Sequence, residues 1–177
     1  MSIDEAVRLQ VRQQANFACE FCGVTETDSG GELTIDHFRP QTKGGGDTAD
    51  NLVYSCNRCN QYKADYWPTH PGDPILWNPR QESLDTHLLT LVDGTLYPIT
   101  LTGAFTLKRL RLNRPPLVAY RLRDHYRTEE QRLLTRYRDV VTVLEQLHQQ
   151  QVALLEEQHT LLEKQRVLLS LLLKHTE

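Results

Sequence analysis

Four cysteines constrain this chain more than any other feature. Cys19-x-x-Cys22 and Cys56-x-x-Cys59 are its only cysteines, two knuckles held apart by residues 23 to 55. A C-x-x-C turn presents two sulfurs to one point, and tetrahedral Zn²⁺ takes four thiolates at about 2.3 Å. The spacing therefore predicts one closed zinc site that fastens the chain near residue 20 to the chain near residue 57, with Gly23 easing the first turn. Two disulfides or a redox pair are the alternatives. No secretory signal opens the sequence, and a redox pair does not require two copies. Apolar residues are 39% of the 177, which is low for a globular chain, so the metal is expected to contribute folding energy outright. A centre of four thiolates leaves no position open for substrate, so any chemistry must come from what it holds in place.

Around the knuckles the pattern is short and mixed. Ser2-x-x-Glu5 reads as a capping box, and Ile3, Val7, Val11 and Ala15 recur every fourth residue, which predicts a helix to about Asn16. Residues 25 to 32 are polar with a Gly30-Gly31 pair and read as a turn. Leu33 to Phe38 alternates as a strand does until Pro40 ends pairing, and Gly44-Gly45-Gly46 leads into a second strand in "NLVYS". Residues 56 to 65 suit a helix. Prolines 68, 71, 74 and 79 make the following segment irregular, and Asp93-Gly94 between apolar runs predicts a hairpin. Trp67, Trp77 and Tyr97 are assigned to the small core, His87 to packing or capping, and His70 to a loop.

Asp36 and His37 close the first predicted strand, and Asn60 directly follows Cys59 on the predicted helix. A clamp that ties strand, loop and helix together lets these side chains converge. Asp36 and Asn60 offer two hard oxygen donors, the sparse set Mg²⁺ or Mn²⁺ accepts when phosphate and water complete its shell. An imidazole beside that ion can take a proton from water near neutral pH. Strict alternation would send Asp36 and His37 to opposite faces, so the strand is expected to end or kink there.

The order C-x-x-C, D-H-x-x-P, G-G, N-L, C-x-x-C-N and K resembles the HNH endonucleases. "LWNPRQESLDTHL" and "LYPITLTGAFTLKRLRLN" extend the likeness to roughly residues 7 to 125. The resemblance implies an α+β fold with a small zinc-stabilised ββα-metal core over residues 1–66. Residues 67–120 become a family extension with a hairpin and a basic segment. It implies His37 as the general base, Asp36 and Asn60 as holders of a catalytic Mg²⁺ or Mn²⁺, and Asn51 as the residue that orients the His37 loop. Asn60 stands where the family's namesake has histidine, an H-N-N pattern that favours a hard ion. The implied activity is hydrolysis of DNA phosphodiesters, by nicking or double-strand cutting, to 5′-phosphate and 3′-hydroxyl ends. RNA stays open as a substrate, and an effector role in a bacterial or phage defence system is among those suggested. A catalytically silent zinc-clamped module that binds nucleic acid or acts as a scaffold is the alternative.

Net charge is -3, yet seven basic residues lie between Lys108 and Arg127 against Asp124 alone. Lys108, Arg109 and Arg111 from that stripe, with Arg58 and Lys63 on the predicted helix, are candidate phosphate contacts; a solvated face is the other reading. From Pro115-Pro116 to Glu177 no further proline or glycine interrupts the chain, and residues 121–177 read as one long helix. Tyr126, Leu133, Val140, Leu147, Leu154, Leu161 and Leu168 fall seven apart. Leu134, Val141, Leu155, Leu162 and Leu169 fall one later, while Gln151, Gln158 and Gln165 occupy the position four later. Such a seam over residues 126–172 predicts a coiled coil with another copy or with a helical protein partner; a bent hairpin on its own domain is the alternative. No run of about 18 apolar residues exists, so no membrane span is expected and a cytoplasmic location is.

Overall fold

The structure is a computed structural model, and it describes residues 3–174. The predicted Ser2 cap lies outside them. Helix α1 (Glu5–Gln14) starts instead at Asp4, whose carboxylate accepts the Ala6 N–H at 3.1 Å. That bond and the charge of Glu5 both favour the positive end of the helix dipole. Val11 and Ala15 pack with Leu52 and Tyr54, while Ile3 and Val7 cover the edge of this cluster. Asn16 and Phe17 then take left-handed φ values of 49° and 58° and turn the chain into the first cysteine knuckle.

The polar stretch after that knuckle differs from the simple turn expected. It contains one helical turn, α2 (Glu26–Ser29), capped by Thr25 and stopped by Gly30 in the left-handed region. Tertiary bonds account for the order: Arg12 pairs with Glu26 at 2.6 Å, and the Tyr54 hydroxyl donates to the same carboxylate.

Strand β1 (Thr34–His37) pairs antiparallel with β2 (Leu52–Ser55), Asp36 opposite Val53 and His37 opposite Leu52. All four residues of β2 are buried. Cys56 ends that strand and begins α3 (Asn57–Lys63), which packs on β1. Two short strands and one helix thus surround the Asp36-His37 pair, as the resemblance implied.

Residues 67–79 contain no helix or strand. They are nevertheless well held, because Trp77 is buried and donates its backbone N–H to Thr106 Oγ1 and its indole N–H to the Glu82 carbonyl. Arg80 reaches back to the core: it donates to the Leu52 carbonyl at 3.0 Å and to Gln14 at 2.8 Å, and pairs with Glu20 at 3.0 Å. Strands β3 (Leu88–Thr90) and β4 (Leu96–Pro98) form the hairpin, with Asp93 accepting both the N–H and the hydroxyl of Thr95. Tyr97 does not enter the core. Alternation turns Leu96 inward and leaves Tyr97 58% exposed.

Helix α4 (Leu101–Arg109) was not among the expected elements; Thr100 caps it by accepting the Gly103 N–H. Helix α5 (Pro115–Lys174) carries proline at its first position, where the missing N–H costs nothing. The chain divides into two compact units, Met1–His125 and Tyr126–Glu177. Within the first, the cysteines share one apolar cluster with Trp77, Leu88, Leu110, Leu112 and Leu117, so residues 67–120 build the same core as the ββα element. Among the described residues no helix is long and apolar enough to cross a membrane.

Gly103 marks the closest contact between α4 and the hairpin: a Cβ there would lie 2.1 Å from the His87 carbonyl oxygen. Glycine to alanine in a helix ordinarily stabilises by about 1 kcal/mol. Gly103→Ala is expected to reverse that sign and lower stability by about 2 kcal/mol or more, measured by urea unfolding.

Candidate active site and metal centre

The first knuckle closes as its spacing predicts. The N–H groups of Cys22 and Gly23 donate to the Cys19 carbonyl at 3.3 and 2.7 Å, and Gly23 takes a φ of 77° that glycine adopts without strain. The second is shaped by the start of α3, where the Cys59 N–H points at Cys56 Sγ at 3.5 Å. The ligating atoms of Cys19, Cys22, Cys56 and Cys59 all lie within 4.8 Å of one another. Cys22 and Cys56 Sγ are 3.8 Å apart, far beyond a disulfide bond and close to the edge of a tetrahedron with about 2.3 Å zinc–sulfur bonds. Crowding splits the acidities of the four. Hydrogen bonds from Cys19, Cys22 and Cys59 pull the Cys56 thiol far down, while contact with Cys19 pushes Cys59 and Cys22 far up. Four sulfurs this close could hold one metal ion, and the donor set fits Zn²⁺, which would draw the protons from all four.

One protein cation already faces them. Arg114 Nη2 lies 3.9 Å from Cys56 Sγ and 3.8 Å from Cys59 Sγ, while its Nη1 donates to the Leu110 and Arg111 carbonyls. A zinc ion bound by four thiolates would keep two net negative charges, which the guanidinium would partly offset. Arg114 directly precedes Pro115, so this contact also fixes the entry to α5. The sequence gives no local sign of it, since Arg114 is one of several arginines in a basic stretch and lies 55 residues beyond Cys59.

The second centre forms where β1 meets α3. Asp36 and His37 are consecutive on β1, and the strand stops at His37. Lys63 is fully buried and pairs with Asp36 Oδ2 at 3.0 Å, while donating to the His37 carbonyl at 2.7 Å. This corrects the reading of Lys63 as a phosphate contact: its ammonium is enclosed and committed to the strand. Asn60 lies one turn earlier on α3, on the face that carries Lys63 to Asp36. Asp36 Oδ2 is buried and accepts no hydrogen bond of good geometry, its partner being the Lys63 charge. A carboxylate held in place by a fixed cation, with the amide oxygen of Asn60 on the adjoining helix, is a hard donor set that suits Mg²⁺ or Mn²⁺.

His37 has a partner that the motif does not include. Its Nε2 lies 2.6 Å from Asp47 Oδ1, which also accepts from Gln41 Nε2 at 2.8 Å. The His37 and Gln41 bonds hold the Asp47 carboxyl below the usual carboxylate range. Asn51 organises both sides of this pair. Its Oδ1 accepts the Arg39 N–H at 2.8 Å, and its Nδ2 donates to the carbonyls of Arg39 and Gly46. Gly45 permits this approach, because a Cβ there would sit 1.8 Å from the Arg39 carbonyl oxygen. An acid one residue past a glycine run, ten residues from the histidine, was the available sign of Asp47.

The basic residues separate into two groups. Arg109 is not free for a phosphate: it stacks on Tyr66 and donates to the Lys63 carbonyl at 3.0 Å. Arg58, Lys108 and Arg111 are exposed, Arg111 lying over the Tyr62 ring. Arg58 lines a groove of about 790 Å³ with Tyr62, Arg114, Tyr120 and Arg123. His70 is an exposed loop residue, and His87 packs beneath α4, bonded to Glu82 and to Thr100.

Comparison with known proteins agrees with this geometry. Residues 19–65 match the HNH endonuclease family. Over 57 residues the chain is 42% identical to the CRISPR-associated endonuclease Cas9 of Corynebacterium diphtheriae, a stretch that covers 32% of this chain and 5% of that protein. No solved structure matches significantly. Residues 19–65 form an HNH endonuclease domain.

Two substitutions probe these centres without an activity assay. Arg114→Met is expected to speed zinc transfer to a chromogenic chelator several-fold at unchanged zinc stoichiometry. Lys63→Met, which leaves Asp36 buried without its cation, is expected to cost about 3–5 kcal/mol in urea unfolding, and adding Asp36→Asn should recover part of that loss.

Proposed function

We propose that the protein is a metal-dependent endonuclease that hydrolyses phosphodiester bonds of DNA, with His37 as general base. The observation that carries this reading is the His37–Asp47 hydrogen bond, set beside an Asp36 carboxylate that Lys63 holds from the helix bearing Asn60. Asp47 fixes the imidazole's orientation and stabilises the charge it acquires when it takes a proton from water, while Asn51 keeps both loops in place. Asp36 and Asn60 would hold Mg²⁺ or Mn²⁺. When bound, that ion supplies Lewis-acid polarisation of the phosphate and stabilises the departing 3′-oxygen. Arg58, Lys108 and Arg111 are the residues on this reading that meet the phosphate backbone.

The long helix is the second functional part. Its leucine rows are exposed over residues 133–172, and an apolar stripe of this length is covered by another helix, from a second copy or from a helical partner. Such a protein suits the cytoplasm and the role of an effector assembled in a bacterial or phage defence system.

Purified protein with supercoiled plasmid and Mg²⁺ or Mn²⁺ tests the reaction. General-base catalysis contributes about 10²–10⁴ in rate, so His37→Ala is expected to lose that factor. Asp47→Asn should fall less and keep zinc. Equal residual cutting by the native protein and His37→Ala would reject the catalytic assignment in favour of a silent nucleic-acid-binding module.

A further inference from the structure

The polar residues of the long helix are placed where an apolar seam would ordinarily be driest. Helix α5 turns about 100° per residue, so Gln158 lies about 40° round from Leu154 and about 60° from Leu155 on the other side. Gln151 and Gln165 repeat that place one heptad earlier and later. Leu144 and Leu172 occupy it at the two ends of the block. The amides therefore run down the middle of the leucine face rather than along its rim. The flanking Leu154, Leu155, Leu161 and Leu162 are 59–64% exposed, so the face is open in the single chain.

Whatever covers those leucines also covers the glutamines, and a buried amide left unpaired is costly. We propose that the occupant is a second copy of this chain, aligned parallel and in register across residues 144–172. In that arrangement residues of equal number face each other, and Gln151, Gln158 and Gln165 each meet their own counterpart. One amide's oxygen then accepts from the other's NH₂ group in three successive layers. An antiparallel pair opposes the two different seam positions, so each glutamine would face a leucine row. A parallel pair slipped by one heptad would set Gln165 against Leu172 and Gln151 against Leu144. A partner of other sequence would need amides at the same three heights. Self-pairing meets that requirement by identity, which makes the glutamine row a register lock.

The inference rests on the reading that a helix covers this face, and it adds the partner, the direction and the alignment. Residues 1–125 precede the paired stretch in each copy, so a pair carries two candidate hydrolytic centres. Two centres suit cutting of both strands.

The full-length protein is expected to give twice its 20.5 kDa mass by light scattering at micromolar concentration. With a photo-reactive benzoylphenylalanine in place of Leu147, a mixture of ¹⁵N-labelled and unlabelled protein should cross-link between copies within one turn of residue 147. Gln158→Glu should weaken association at least tenfold in a dilution series, whereas Glu156→Gln, on the opposite side of the helix, should not. Replacing Gln151, Gln158 and Gln165 together by leucine should preserve association and spread the cross-links over several heptads. A dimer whose cross-links centre near residue 169 would overturn the parallel direction, one whose cross-links centre near 140 or 154 would overturn the in-register alignment, and an unchanged cross-link pattern in the triple leucine variant would overturn the register lock. A monomer without cross-links would overturn self-pairing altogether. Loss of plasmid cutting in a protein that still cross-links at 147 would count against the nuclease reading alone.

Discussion

Everything in the first unit hangs on four sulfurs meeting at one point. The chain contributes few apolar residues, and its strands are four residues long or shorter, so neither the β1–β2 pair nor α3 has the hydrophobic area to be stable alone. The cysteines replace area with coordination. Cys19 and Cys22 come from the loop after α1, Cys56 and Cys59 from the junction of β2 and α3, and one ion held by them would fasten these two segments together. Arg114 adds a third segment to that junction through charge, which ties the entry of α5 to the same point.

The same packing sets how the Asp36 strand faces the Asn60 helix. Asp36 lies on the strand and Asn60 on the helix, and Lys63 spans the gap with one ammonium bonded to the Asp36 carboxylate and to the backbone of His37. On the other side, Gly45 lets the glycine loop press against Arg39 closely enough for Asn51 to bond both. The acid, the imidazole and the loop acid Asp47 are thus each held by something other than the ion or substrate they would serve. Preorganisation of this kind lowers the cost of reaching a reactive geometry.

Much of this could be read from residue order, and the exceptions share a cause. Cysteine spacing, the strand–glycine loop–strand order, the Asp93-Gly94 hairpin and the unbroken heptads are local patterns, and local patterns survive in one dimension. The partners that escaped are decided by tertiary contact. Lys63 looks like a surface lysine on a short helix until β1 is laid against it. Arg114 and Arg109 look like members of a basic stripe until sulfur atoms and a tyrosine ring occupy the space beside them. Helix α2 has no strong propensity and exists because Arg12 and Tyr54 converge on Glu26. Tyr97 shows the reverse error, an aromatic residue taken as core that strand alternation turns outward.

Arg80 shows where homology and autonomy part company. The recognisable domain ends at residue 65, yet the Glu20 carboxylate inside it, raised in pKa by burial, depends on a guanidinium fifteen residues past that boundary. The same guanidinium closes off the Leu52 carbonyl at the start of β2. The end of the family match is therefore not a structural boundary. In this chain the matched segment takes its counter-charge and its cover from residues that lie beyond it.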